Sequence, residues 1–135
     1  MNSHYPKNVI NWFDIPTNDL ERAVKFYSTI LDFKMNIVDF GGMKMAPFRM
    51  QDEGVSGAGS GCVGGALMQP MSENKPSANG THVHLNVDGR LDEVLSRVEK
   101  AGGKIIAPKM FLGDPGWDAM IMDTEGNMIG LHSYK

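Results

Sequence analysis

Hydrophobic and polar positions alternate with period two in THVHLNV, Thr81 to Val87. His82, His84 and Asn86 fall on one side, and Val83, Leu85 and Val87 on the other. This pattern describes a half-buried strand with an apolar back and a polar front. VINWFDI, Val9 to Ile15, has strand character too, with Trp12 and Asp14 on one face and Phe13 and Ile15 on the other. The period then changes to 3.6. Leu20, Val24, Tyr27 and Leu31 recur at helical spacing behind Asn18, which stands three residues before Glu21 in a near capping pattern, so a helix is expected over about 19–31.

FKMNIVDF and GGMKMAPFRM read as the next two strands. QDEGVSGAGSGC reads as a flexible loop fit to act as a lid, and VGGALM as a short apolar strand. MSENKPSANG is a polar connector with turn residues. After THVHLNV the plan repeats. LDEVLSRVEKAGG carries Leu91, Val94, Leu95 and Val98 as a helical stripe ended by Gly102-Gly103, and KIIAPKMF, WDAMIMD and NMIGLHSY read as three strands separated by turns. Placing Leu20 on Leu91 puts Val24 on Leu95 and Tyr27 on Val98, so the two stripes superpose. The expected class is α+β, built from two strand-helix-three-strand modules whose helices cover the apolar backs and whose polar fronts curl into a cup.

The 135 residues suit one domain, with the first module at about 8–70, a linker at about 71–79 and the second module at about 80–135. A hydrophobic share of 41%, a charged share of 21% and a net charge of -3 argue against disorder and against an electrostatic nucleic-acid surface. No stretch reaches the roughly 20 apolar residues of a membrane span, and MNSHYPKNV lacks the apolar segment of a secretion signal, so a cytoplasmic protein is expected. Cys62 is the single cysteine and has no neighbouring base in the sequence, so no nucleophilic role is assigned to it. Gly59 to Gly64 formally matches G-x-G-x-x-G, but a strand follows it instead of a helix, so no pyrophosphate site is expected there.

Two plain readings compete for each polar residue. His82 and His84 suit proton transfer near neutral pH, and equally suit a wet sheet face. Asp14 beside Trp12 suits a base, or a structural hydrogen-bond acceptor. Trp12, Phe48, Met68, Met120 and Trp117 suit the wall of a small-molecule site, with Trp117 at its rim, or ordinary core.

NWFDIPTNDLERAVKFYSTILDF, GGAL, GGKIIAPK, the D-P-G-W turn and DTEGNMIGLHS together resemble the vicinal oxygen chelate superfamily, which includes glyoxalase I, fosfomycin-resistance proteins, extradiol dioxygenases and bleomycin-binding proteins. The resemblance implies two βαβββ modules, a cupped mixed sheet and a homodimer. It also implies a divalent metal held by His and Glu residues of the cup. Carried over one at a time, the ligand positions fall at Trp12 (or Ile10 with a gap), Ala66, His82 and Gly130. Of these only His82 is a ligand type, whereas catalytic metal sites use about three protein ligands. The expectation is therefore a small organic molecule bound without the usual metal, contacted by Trp12, Asp14, His82, His84, Asn86, Trp117 and His132, with Asp14, His82 and His84 as candidates for catalysis. The alternative is a lyase, isomerase or dioxygenase with a divalent metal at a rearranged site of His82, His132 and Asp14.

Overall fold

The computed structural model describes residues 8–48 and 63–135. The loop proposed as a lid and Cys62 lie outside the described residues. In chain order the elements are β1 (Trp12–Pro16), α1 (Leu20–Leu31), β2 (Val38–Phe40), β3 (Met43–Pro47), β4 (Gly64–Met68), β5 (Val83–Asn86), α2 (Leu91–Val98), β6 (Lys104–Phe111), β7 (Trp117–Met122) and β8 (Met128–Ser133). Two four-stranded mixed sheets result, ordered β1-β4-β3-β2 and β5-β8-β7-β6. In each sheet the first strand of the module pairs in parallel with the last, and the other pairings are antiparallel. The repeat seen in the helical stripes is thus a repeat of topology. No described helix is long and apolar enough to cross a membrane.

The helix stripes pack as their spacing predicts. Leu20, Tyr27 and Leu31 of α1 and Leu91, Val94 and Val98 of α2 are buried in one apolar cluster with Ile15, Leu67, Ile121 and Leu131. Val24 and Leu95, which superpose in the repeat, are both partly buried against it. FKMNIVDF differs from expectation, because only Val38–Phe40 pairs as strand. Asp32 closes α1 in the left-handed conformation, and Met35 turns into the core. The cap of α1 also shifts by one residue. Asp19 is the N-cap, its carboxylate accepting from the Arg22 N–H at 3.0 Å. The Asn18 N–H goes instead to Glu125, far along the chain in the β7–β8 turn.

That turn joins the modules. Glu125 accepts from the Asn18 and Asp19 N–H groups at 2.8 Å each, and from Arg22 Nε and Nη2 at 2.8 and 3.0 Å. Asn127 Nδ2 donates to the Pro16 carbonyl at 2.8 Å, which ties the end of β1. The Tyr27 hydroxyl donates to Asp123 Oδ2 at 2.6 Å. Burial, reinforced by the Asp123 charge, holds that hydroxyl well above the usual tyrosine range, so it stays a donor. From the other side Arg90 and Arg97 of the second module donate to the Leu31 and Ile30 carbonyls, which the helix leaves without partners. Gly103 lets the halves approach closely. A Cβ there would stand 2.7 Å from the Phe26 ring of α1 and 2.7 Å from the Met122 carbonyl.

Candidate functional site

Residues two apart on a strand share a face, and so do directly paired residues of neighbouring strands. Applied to the registers, this rule sorts every candidate. On the first sheet Ile15 and Leu67 are buried against the helices, so Trp12, Asp14, Ala66, Met68 and Met45 point the other way, to the open face. On the second sheet Leu85, Ile129, Leu131, Ala119 and Ile121 are buried, so His84, Asn86, Met128, Gly130, His132, Asp118, Met120 and Met122 occupy the open face.

The methionines are distributed unevenly. Met43, Met45 and Met68 stand on the open face of the first sheet, and Met110, Met120, Met122 and Met128 on that of the second. Seven of the eleven methionines thus stand on the sheet faces opposite the helices, six of them at least partly exposed and Met68 buried. Core filling therefore does not account for their number, whereas an adaptable, polarizable wall does.

The polar residues fall into two groups. On the first sheet Trp12 Nε1 donates to Asp14 Oδ1 at 2.8 Å. On the second, His84 Nδ1 meets Asp118 Oδ1 at 2.8 Å, with the His84 side chain 45% exposed and that of Asp118 only 14%. The carboxylate only accepts, so Nδ1 carries the proton of this contact, and the neutral ring in that tautomer has its lone pair at Nε2. This contact runs diagonally across β8, from β5 to β7, because Gly130 leaves the way open. A Cβ on Gly130 would stand 2.0 Å from His84 Nδ1. His132 lies between Asn86 and Asp118 in register, and its Nε2 donates to the Pro115 carbonyl. His82, just before β5, donates from Nε2 to the Ala78 carbonyl at 3.2 Å. Asn86 Oδ1 is occupied locally by the Asp88 N–H at 2.9 Å.

Two wall candidates lie elsewhere. Trp117 pairs with Ser133 and shares the phase of Ala119 and Ile121, which puts it on the helix side of the sheet. Its ring packs on Phe111 and lies under Lys109, which in turn pairs with Asp92 of α2. Phe48 packs against Phe13 and Tyr27 at the core. Asp118 is the residue that sequence reading passed over. The sequence shows the phase it shares with Met120 and Met122, but not which phase faces outward.

The positions that the resemblance assigns to metal ligands do not fit a hydrated divalent ion. The Trp12 N–H is spent on Asp14, Ala66 is fully buried and has no donor atom, and the space beside Gly130 holds the His84 ring. Among the described residues no three His, Cys, Asp or Glu side chains stand close enough to share an ion. His82, His132 and Asp14 are therefore not brought together in this chain, since Asp14 belongs to the other sheet.

Comparison with known proteins supports the fold and the family. The chain is 28% identical over 133 residues to "Putative glyoxylase CFP32" of Mycobacterium bovis and of Mycobacterium tuberculosis. The match covers 96% of this chain and 47% of each relative, so the chain spans about half the length of these curated relatives. Among solved structures, a glyoxylase/bleomycin resistance protein/dioxygenase domain from Frankia superposes with a TM-score of 0.67 at 17% identity, over 96% of this chain and 94% of that one. The fosfomycin resistance protein FosX of Listeria monocytogenes gives 0.60 at 15% identity, over 93% and 90%. The family description "Glyoxalase/Bleomycin resistance protein/Dioxygenase superfamily" matches residues 9–131. With nearly the whole chain matched and both modules folded to the same plan, this protein belongs to the glyoxalase, bleomycin resistance protein and dioxygenase superfamily.

Proposed function

We propose that the protein binds a small organic molecule against the open sheet faces, without a metal at the family's ligand positions. One observation carries this reading: six at least partly exposed methionines stand opposite the helices on the faces that also hold Asp14, His84, Asp118 and His132. A soft apolar wall with a few placed polar groups is the usual make-up of a small-molecule site. Trp12 and Asp14 on the first sheet and His82, His84, Asn86 and His132 on the second supply the polar contacts. Trp117 takes no part, since it faces the helices. The assembly proposed is a homodimer in the cytoplasm. The apolar edge strand β6 supports the dimer, with Met110 and Phe111 59% and 60% exposed in the single chain.

A second reading makes the protein an enzyme that transfers protons without a metal. It rests on the His84–Asp118 contact, because an imidazole held at Nδ1 by a carboxylate presents Nε2 as a base.

Both readings are tested by spectra of the protein labelled at its methionine methyl groups, with planar organic fragments added. Saturable shifts are expected at Met45, Met68, Met120, Met122 and Met128 and none at the core residue Met35. Translational diffusion in the same samples should correspond to two chains. Fragments that shift Met35 alone, or no methionine, defeat the binding reading. Exchange of a fragment's C–H with deuterated water that stops in His84→Gln would favour the enzyme, and binding with no exchange would leave the binding protein.

A further inference from the structure

The hydrogen-bond state of the second sheet's open face narrows the ligand to one charge class. His82 and His132 each donate Nε2–H to a backbone carbonyl, and His84 donates Nδ1–H to Asp118. A carbonyl only accepts, so these directions are fixed by the partner. Each neutral ring has one N–H, and each has spent it inside the protein, so the remaining nitrogens present lone pairs. Asp118 adds a further acceptor. Its Oδ1 is taken by His84, while no bond to Oδ2 is made by the described residues. No buried side-chain oxygen lacks a partner among the described residues, so Oδ2 is the accessible oxygen of the pair and can accept from a ligand at the surface of the face. The methionine sulfurs around it are weak acceptors as well.

Among the described residues of this face, only Asn86 Nδ2 offers a donor near the centre. Lys104, opposite Met122 on the same face, stands at the far end of the sheet from Asp118. The face is thus rich in acceptors, negative at its centre and bedded in thioethers.

We infer that the open face of the second sheet recognises a planar organic cation bearing N–H donors, with one N–H directed to Asp118 Oδ2 and the flat skeleton lying on Met120 and Met122. This inference rests on the proposed small-molecule reading and names its ligand class. A carboxylate or phosphate ligand would meet lone pairs and an unneutralised carboxylate, which repel it. An amidinium suits these acceptors, because it is a planar cation whose coplanar N–H groups form charge-assisted hydrogen bonds to a carboxylate.

The test uses two probes of one shape and opposite charge, benzamidine and benzoate, with neutral benzyl alcohol as a third, on the full chain labelled at methionine methyl and histidine nitrogen. Benzamidine should give saturable shifts at Met120, Met122 and the His84 ring at neutral pH, and benzoate none. Asp118→Asn should weaken benzamidine at least about tenfold, as expected for loss of a charge-assisted hydrogen bond. Asp92→Asn, on α2 behind the sheet, should leave it unchanged. Equal or tighter binding of benzoate at neutral pH, or an Asp118→Asn variant that binds benzamidine as well as the parent, overturns the inference. If benzyl alcohol alone shifts the methionines, the charge class is wrong and the small-molecule reading stands. If no probe shifts them, both fail.

Discussion

Gly130→Glu is expected to disable the open face of the second sheet, although it restores a carboxylate where the family's metal ligand falls. Any side chain at this position begins with a Cβ that would lie 2.0 Å from His84 Nδ1 and 2.5 Å from His84 Cγ and Cε1. The ring must leave, and its bond to Asp118 goes with it. Asp118 would then face a second carboxylate in place of an imidazole, on a side chain largely removed from water. Overpacking a closed core costs about 1–3 kcal/mol; the half-exposed His84 ring can swing out for less, and the like-charge contact adds to the cost. The expected outcome is a lower midpoint in denaturant, loss of the His84 imidazole resonance from its Asp118-bonded position, and loss of fragment-induced shifts at Met120 and Met122. Gly130→Ala separates the two causes, since it adds the Cβ without the charge. If Gly130→Glu kept the parent's stability and fragment binding, the placement of His84 over Gly130 would be wrong.

The same position shows what a sequence can and cannot convey. Gly130 in MIGLHS marks the loss of a carboxylate, but not what fills the space, because that depends on a rotamer two strands away from its partner. THVHLNV was legible, since its apolar side packs on the core and its polar side is open, with Leu85 and Val87 buried, Val83 partly buried, and His84 and Asn86 exposed. WDAMIMD was not. Both of its faces carry large side chains, so period two cannot choose between them, and only the Trp117–Ser133 register shows that the tryptophan faces the helices and Asp118 the open side. The helices were readable from their stripes to within a residue at the start of α1. The cap was misread because the bond that decides it comes from Glu125, more than a hundred residues away. Local patterns carry local structure, and contacts between the modules leave no local pattern.

Glu125 is where that long-range contact should have its largest effect. Its side chain is fully buried and accepts from two N–H groups at the start of α1, from two nitrogens of Arg22 and from Thr124 Oγ1 at 2.8 Å. Glu125→Ala removes all of these acceptors at once. The first turn of α1 then loses its partners for Asn18 and Asp19, and Arg22 must turn to solvent, which its half-exposed position allows. Unsatisfied buried groups and a broken ion pair of this kind cost about 2–4 kcal/mol together. Glu93→Gln, in the exposed pair with Arg97 at 3.8 Å, should change stability by less than about 0.5 kcal/mol. The pH dependence gives an independent check. Burial pushes the Glu125 carboxyl up, but the hydrogen bonds from Arg22, Thr124, Asp19 and Asn18 together outweigh it, so its pKa is lowered. A carboxyl with a lowered folded pKa contributes stability that is fully present above its unfolded value, about 4.3, and fades as pH falls through the folded value. The gap between parent and Glu125→Ala should therefore be widest at neutral pH and narrow below about pH 4. Denaturant titrations across that range decide the matter: a gap under about 1 kcal/mol at neutral pH, or one that does not narrow on acidification, would show that the modules are held together by their apolar cluster without this clamp.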